Sequence, residues 1–186
     1  MRRMAAALSM TLLALASGCA TRPYQNEMFA IAAEQPYTVG SGDRLRIIVF
    51  GQDSLSNSYS VDATGQISLP LVGLVPVNGM TAAEIQRTVE ARLRNGFLRE
   101  PRVSCEIEAY RPFFILGEVT TAGQYPYVNG MTVQTAVAIA GGFTPRAAQS
   151  YAVMTRVHDG RQMVGEVDMA QPLRPGDTIQ IRERFF

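Results

Sequence analysis

The chain has 186 residues, 47% of them hydrophobic, and its 17 basic and 16 acidic side chains give a formal net charge of +1. That length accommodates one medium domain or two small ones. So balanced a charge gives no sign of a surface built for nucleic acid or anionic lipid. Every basic residue except His158 is an arginine.

The N-terminus carries an address. Arg2 and Arg3 form a positive n-region, Met4 to Ala14 a short apolar h-region, and Leu15-Ala16-Ser17-Gly18 sets small residues before Cys19. This is a secretory signal with a lipobox, predicting a signal peptide over 1–18 and a lipid on Cys19. Leucine stands one place early, with Ala16 in its slot. The competing accounts are an ordinary cleaved signal or a membrane anchor, but the h-region falls short of the ~20 apolar residues a spanning helix needs. Ala20, where an aspartate would favour inner-membrane retention, points to the outer membrane. Cleavage before Cys19 would remove 18 of 186 residues and leave 168, with 15 basic and 16 acidic groups. Acylation of Cys19 would leave Cys105 without a partner for a disulfide.

Residues 19–36 lack sustained periodicity and read as a lipid-anchored tether. Gly42-Asp43 then turns the chain into Leu45, Ile47 and Val49, apolar at period two, which predicts a strand with one buried face. Asp62-Ala63-Thr64-Gly65 supplies turn chemistry between Tyr59-Ser60-Val61 and Gln66-Ile67-Ser68-Leu69, predicting a hairpin. Pro70, followed by Leu71-Val72-Gly73, limits the second strand. Thr81 and Glu84 are spaced for a capping box. Ile85, Val89 and Leu93 mark the apolar face of the helix they open, and Gly96 is its stop. After Glu100-Pro101-Arg102, the alternation of Val103, Cys105 and Ile107 predicts a strand with a buried thiol.

The phrase Val77-Asn78-Gly79-Met80-Thr81 recurs at Val128-Asn129-Gly130-Met131-Thr132. It precedes a second helix over Val133 to Ala140, stopped by Gly141-Gly142 and apolar enough to predict burial all round. Asp159-Gly160 predicts a hairpin. Gly176-Asp177-Thr178-Ile179-Gln180-Ile181 echoes Gly42-Asp43-Arg44-Leu45-Arg46-Ile47. The reading is an α+β chain of two small β-rich modules, each a mixed sheet with one packed helix.

The order Val39-Gly40-Ser41-Gly42-Asp43 through Gly65, Pro70 and Gly73 to Pro101 resembles the bacterial polysaccharide export family, of which the Wza type is the best-known architecture. Phe113-Phe114-Ile115-Leu116-Gly117, Gly123, Gly141-Gly142 and Pro175-Gly176-Asp177 resemble the soluble-ligand-binding β-grasp (SLBB) domain that accompanies it. Most members have Pro-Gly where this chain has Ala122-Gly123; the glycine is taken as the one the turn requires. The resemblance implies an export domain over 37–111 and a β-grasp domain over 112–186. It also implies a homo-oligomeric ring, a polysaccharide cargo and an inner-membrane co-polymerase beneath. Only Arg182 to Phe186 follow Ile181, so the amphipathic C-terminal helix of long members is missing and a separate outer-membrane β-barrel is expected.

No catalytic, metal or cofactor constellation is legible. His158 is the sole histidine and falls at a hairpin tip. Asp43, Asp62 and Asp177 adjoin turns and Glu106 and Glu108 read as the solvated side of a strand; with Asp53, Glu118 and Asp168 they are the candidates for the carboxylate pair a glycosidase needs, a reading nothing else in the chain supports. Tyr110, Tyr125 and Tyr127 offer either sugar-stacking faces or ordinary packing. An alternative function stays open: a periplasmic lipoprotein that binds a glycan or another ligand without a channel role. A carbohydrate-active enzyme is a third reading.

Overall fold

A computed structural model describes Phe29, residues 35–158 and residues 160–184. The signal, the lipobox and Phe185-Phe186 lie outside these residues, as does Asp159. The fold is α+β with two separate cores.

The first core is built by β1 (Arg44–Val49), β2 (Asn57–Ser60), β3 (Gln66–Leu69), β4 (Gly73–Pro76), α1 (Ala82–Arg94) and β5 (Val103–Ala109). β1 is the centre of an antiparallel sheet ordered β2-β1-β5, and β3 and β4 form a hairpin of their own. The expected pairing of β2 with β3 therefore does not extend into a ladder. Its turn forms, with the Gln66 amide donating to the Asp62 carboxylate at 2.9 Å, but the strands diverge into different sheets. Gly65 explains the divergence. Its carbonyl accepts from the amides of Val77 and Asn78 at 2.9 and 3.0 Å, so the corner is tied to the entry of α1 rather than to β2. β3 ends before Pro70, as expected of a residue without an N–H.

Thr81 caps α1 reciprocally with Glu84: the Glu84 amide donates to the Thr81 hydroxyl at 3.4 Å, and the Thr81 amide to the Glu84 carboxylate at 2.8 Å. Ile85, Val89 and Leu93 are fully buried against the sheet. Each contributes about 1.5–3 kcal/mol relative to exposure. Gly96 follows the cap residue Asn95 at φ 100°, where the helix stops. Cys105 is buried, and burial pushes its thiol up to about 11.

The second core is formed by β6 (Phe113–Gly117), β7 (Gly123–Tyr125), α2 (Val133–Ile139), β8 (Tyr151–His158), β9 (Arg161–Asp168) and β10 (Thr178–Ile181). The sheet order is β7-β6-β10-β8-β9, with β6 and β10 parallel and the other pairs antiparallel. This sheet is mixed, as expected, because α2 and the β8–β9 hairpin make the connection from β6 to β10 long enough for a parallel return. The first module's sheet is wholly antiparallel, against expectation, because α1 is entered from β4 and delivers β5 antiparallel to β1. His158 and Arg161 form the last pair of the β8–β9 ladder.

Two expectations are corrected here. α2 is buried on one face only: Val133, Ala136 and Val137 are inside, whereas Ile139 is 51% exposed. The helix has seven residues, and composition alone cannot tell which side a turn that short presents. Phe29, placed in the tether by the sequence reading, is 2% exposed and belongs to the second core.

Candidate functional site

The two Gly-Asp phrases fold into the same turn. Asp43 donates its amide to the Gly40 carbonyl, and Asp177 to the Arg174 carbonyl, both at 3.1 Å. Gly42 and Gly176 take φ of 91° and 85°, a conformation open to glycine and strained for other residues. Each aspartate side chain folds back to accept from the amide three residues earlier, Gly40 at 2.8 Å and Arg174 at 2.7 Å. Both carboxylates are buried, Asp43 at 0% and Asp177 at 1% exposure, which demands further donors.

Those donors are residues the sequence did not mark. Asp43 accepts from the Tyr37 hydroxyl at 2.5 Å, the Arg111 amide at 2.7 Å and Arg111 Nη1 at 3.2 Å. Asp177 is gripped by Arg156 through Nε at 2.9 Å and Nη2 at 2.6 Å. Burial pushes the Asp177 carboxyl up from its ordinary value, and the Arg156 fork opposes that shift. Burial and the bond to Asp43 push the Tyr37 hydroxyl up. Arg156 Nη1 also donates to the Phe29 carbonyl at 3.1 Å, and its guanidinium sits 5.6 Å from the centre of the Phe29 ring. The only signal of these partners was the repeated aspartate itself.

Arg111 joins the modules. While Nη1 holds Asp43, Nε donates to the Pro175 carbonyl of the second turn at 3.2 Å. A Cβ on Gly40 would lie 2.3 Å from Arg111 Nη1, and one on Gly176 would lie 2.8 Å from Arg111 Nε. Both turns are thus shaped around one guanidinium.

Beside this joint lies a cleft of about 400 Å³, lined among others by Tyr37, Tyr110, Tyr127, Asn129 and Arg174. Tyr37 and Tyr110 meet edge to face at 5.0 Å, and Tyr110 and Tyr127 at 5.4 Å. Tyr125, grouped with these by sequence, stacks instead on Phe113 at 5.9 Å and donates its hydroxyl to the Thr121 carbonyl.

The remaining marked positions are turn and edge residues. Asp62 accepts from the hydroxyl and amide of Thr64 and from the Gln66 amide, which hold its carboxyl below the ordinary value. Gly65, Gly73, Gly117, Gly141 and Gly142 take positive φ. A Cβ on Gly117 would lie 2.0 Å from the Ile181 carbonyl oxygen. Gly123 is different: it opens β7 without positive φ, so the turn does not require glycine there. Pro101 is buried just before β5. Glu118 bonds Thr144 and Arg146, which hold it below its ordinary value. Among the described residues no group of three or more His, Cys, Asp and Glu is placed to hold a metal, and no helix is long and apolar enough to cross a membrane.

Comparison with known families matches residues 31–108 to the polysaccharide biosynthesis/export protein family and residues 112–166 to the SLBB domain. This chain belongs to the polysaccharide export family. Its relatives include the exopolysaccharide production protein ExoF of Rhizobium meliloti (strain 1021), 34% identical over 61% of this chain and 30% of ExoF. The EPS I polysaccharide export outer membrane protein EpsA of Ralstonia nicotianae is 26% identical over 83% of this chain and 49% of its own length. The polysialic acid transport protein KpsD of Escherichia coli is 24% identical over 80% of this chain and 28% of KpsD. This export-family chain therefore spans about a third to a half of the relatives it matches.

Proposed function

We propose that this protein acts in the export of an exopolysaccharide or capsule, as a lipid-anchored component on the periplasmic face of the outer membrane. The observation that carries the reading is the pairing, in one chain, of a match to the polysaccharide export family over residues 31–108 with a match to the SLBB domain over residues 112–166. Copies assemble into a periplasmic ring through which the polymer passes, above an inner-membrane co-polymerase and against a separate outer-membrane β-barrel. Cys19 carries the lipid, and the protein performs no reaction of its own.

Self-association is supported by the open face of the second sheet. Phe114, Thr178, Thr155 and Val164 form one row across it, with Phe114 39% and Val164 56% exposed. Leu116 and Val157 lie on the same side, 47% and 66% exposed. Apolar area of that kind on a sheet favours a protein contact.

The test compares surface polymer with lipid-linked sugar in a deletion strain. Loss of surface polymer with the lipid-linked sugar still made is the expected result, and normal surface polymer refutes export. The full-length protein in mild detergent is expected to run as a homo-oligomer. The cleft between the modules favours one second reading, a ligand-binding lipoprotein without a channel role, which would remain a monomer or dimer.

A further inference from the structure

We propose that the cleft between the two modules is a subsite for a sugar residue bearing a carboxylate, with Arg174 holding the acid and Tyr37, Tyr110 and Tyr127 the ring. The inference rests on the export reading in taking that sugar as part of the passing polymer. At about 400 Å³ the cleft falls within the ~300–1,000 Å³ typical of small-molecule sites.

Its chemistry is selective. Arg174 lines the cleft, is partly buried, and forms no ion pair among the described residues. The nearby carboxylate, Asp177, is already occupied by Arg156 and by the Arg174 amide. Arg174 Nη2 reaches only the carbonyl of Gln35, leaving most of a planar five-donor fork unused. Burial first, and then the charge of Arg156, push the Arg174 pKa down, and the nearby charge of Asp177 offsets that only in part, so a bound anion would favour the cation further. A single fork of this geometry matches a single carboxylate through two parallel bonds.

The other lining groups suit a sugar ring. The Tyr37 hydroxyl is committed to Asp43 and the Tyr127 hydroxyl to the Leu173 carbonyl, so both rings are fixed in place. Tyr110, wedged edge to face between them, makes no hydrogen bond through its own hydroxyl among the described residues. The exposed amide of Asn129 at the rim provides a donor and an acceptor for ring hydroxyls. Rigid aromatic walls, a few convergent polar groups and one unpaired cation describe a site for an acidic sugar better than one for a neutral sugar or an apolar molecule.

The test is titration calorimetry of the full chain in detergent micelles with tetragalacturonate and, as the neutral probe, maltotetraose. The expected result is at least tenfold tighter binding of the acidic probe, weakened by salt. Arg174→Gln should remove the preference and Tyr110→Ala should weaken both probes, while Arg94→Gln at the far end of α1 leaves binding unchanged. Far-ultraviolet circular dichroism of each variant separates lost binding from lost fold. Equal affinity for the two probes, or a preference that survives Arg174→Gln in a folded protein, overturns the subsite. The Arg174→Gln chain is also returned to the deletion strain. If wild type is needed for surface polymer but neither probe is preferred, the subsite fails and export stands. If the deletion leaves surface polymer normal while the preference tracks Arg174, export fails and acid recognition stands.

Discussion

The two Gly-Asp turns share one backbone and differ in how their buried carboxylates are satisfied. Asp43 has four donors from three residues, two of them main-chain amides, and its ion-pair partner Arg111 has a side chain 28% exposed. Asp177 relies on Arg156, whose side chain is 2% exposed, with one amide in support. A carboxylate with three neutral donors beside its cation tolerates the loss of one donor. A carboxylate matched to a single buried cation does not, because either charge left alone in the core is strongly disfavoured. The first turn is thus a joint that also serves the neighbouring module, and the second is an internal rivet that also holds Phe29.

The largest expected effect is at the rivet. Arg156→Ala should destabilise the second module by about 3–5 kcal/mol, since it strands Asp177 and releases the Phe29 carbonyl. Arg111→Ala should cost about 1–3 kcal/mol, because Asp43 keeps Tyr37 and both amides. Calorimetric unfolding of the two variants tests this order, and equal losses would break the contrast between the turns.

Cys105 sharpens the comparison by reporting on one module alone. It is buried in the first core, and its raised thiol pKa leaves little thiolate near neutral pH. Alkylation of Cys105 should be slow in the wild type, faster in Arg111→Ala, and little changed in Arg156→Ala. Acceleration by both variants would mean that the modules open together.

The helices extend the contrast on a smaller scale. Thr81→Ala should cost roughly 0.5–2 kcal/mol, with Thr132→Ala toward the lower end, as each removes one side of a capping box. The boxes differ in charge: Thr81 faces Glu84, whereas Thr132 faces the neutral hydroxyl of Thr135, whose amide donates to Thr132 at 3.3 Å. The Thr81 amide holds the Glu84 carboxyl below its ordinary value of 4.5. Its contribution is therefore full above that value and is lost as pH falls through the lower folded value. Glu84→Gln should lower the melting temperature near neutral pH and make progressively less difference as pH falls through the lowered folded value, below which Glu84 is protonated in both states. A gap that persists in acid would show that the carboxylate charge is not what holds the cap.

The sequence by itself determined the local devices: the strand of Leu45, Ile47 and Val49, the Thr81–Glu84 cap, the stop at Gly96, the buried Cys105 and the paired Gly-Asp turns. Each follows from residues within a few positions of one another, where backbone stereochemistry and hydrophobic period act directly. Tertiary structure alone decided that β2 and β3 part into separate sheets, that Ile139 faces outward and that Phe29 belongs to the second core. It also decided that Arg111 sits between both turns, 68 residues from Asp43 and 64 from Pro175, and that Tyr37 rather than Tyr125 joins Tyr110 and Tyr127 beside Arg174. A buried carboxylate demands a donor but does not name it. The partner is whichever cation the packing of distant strands brings within about 3 Å, and that choice is made by the fold as a whole.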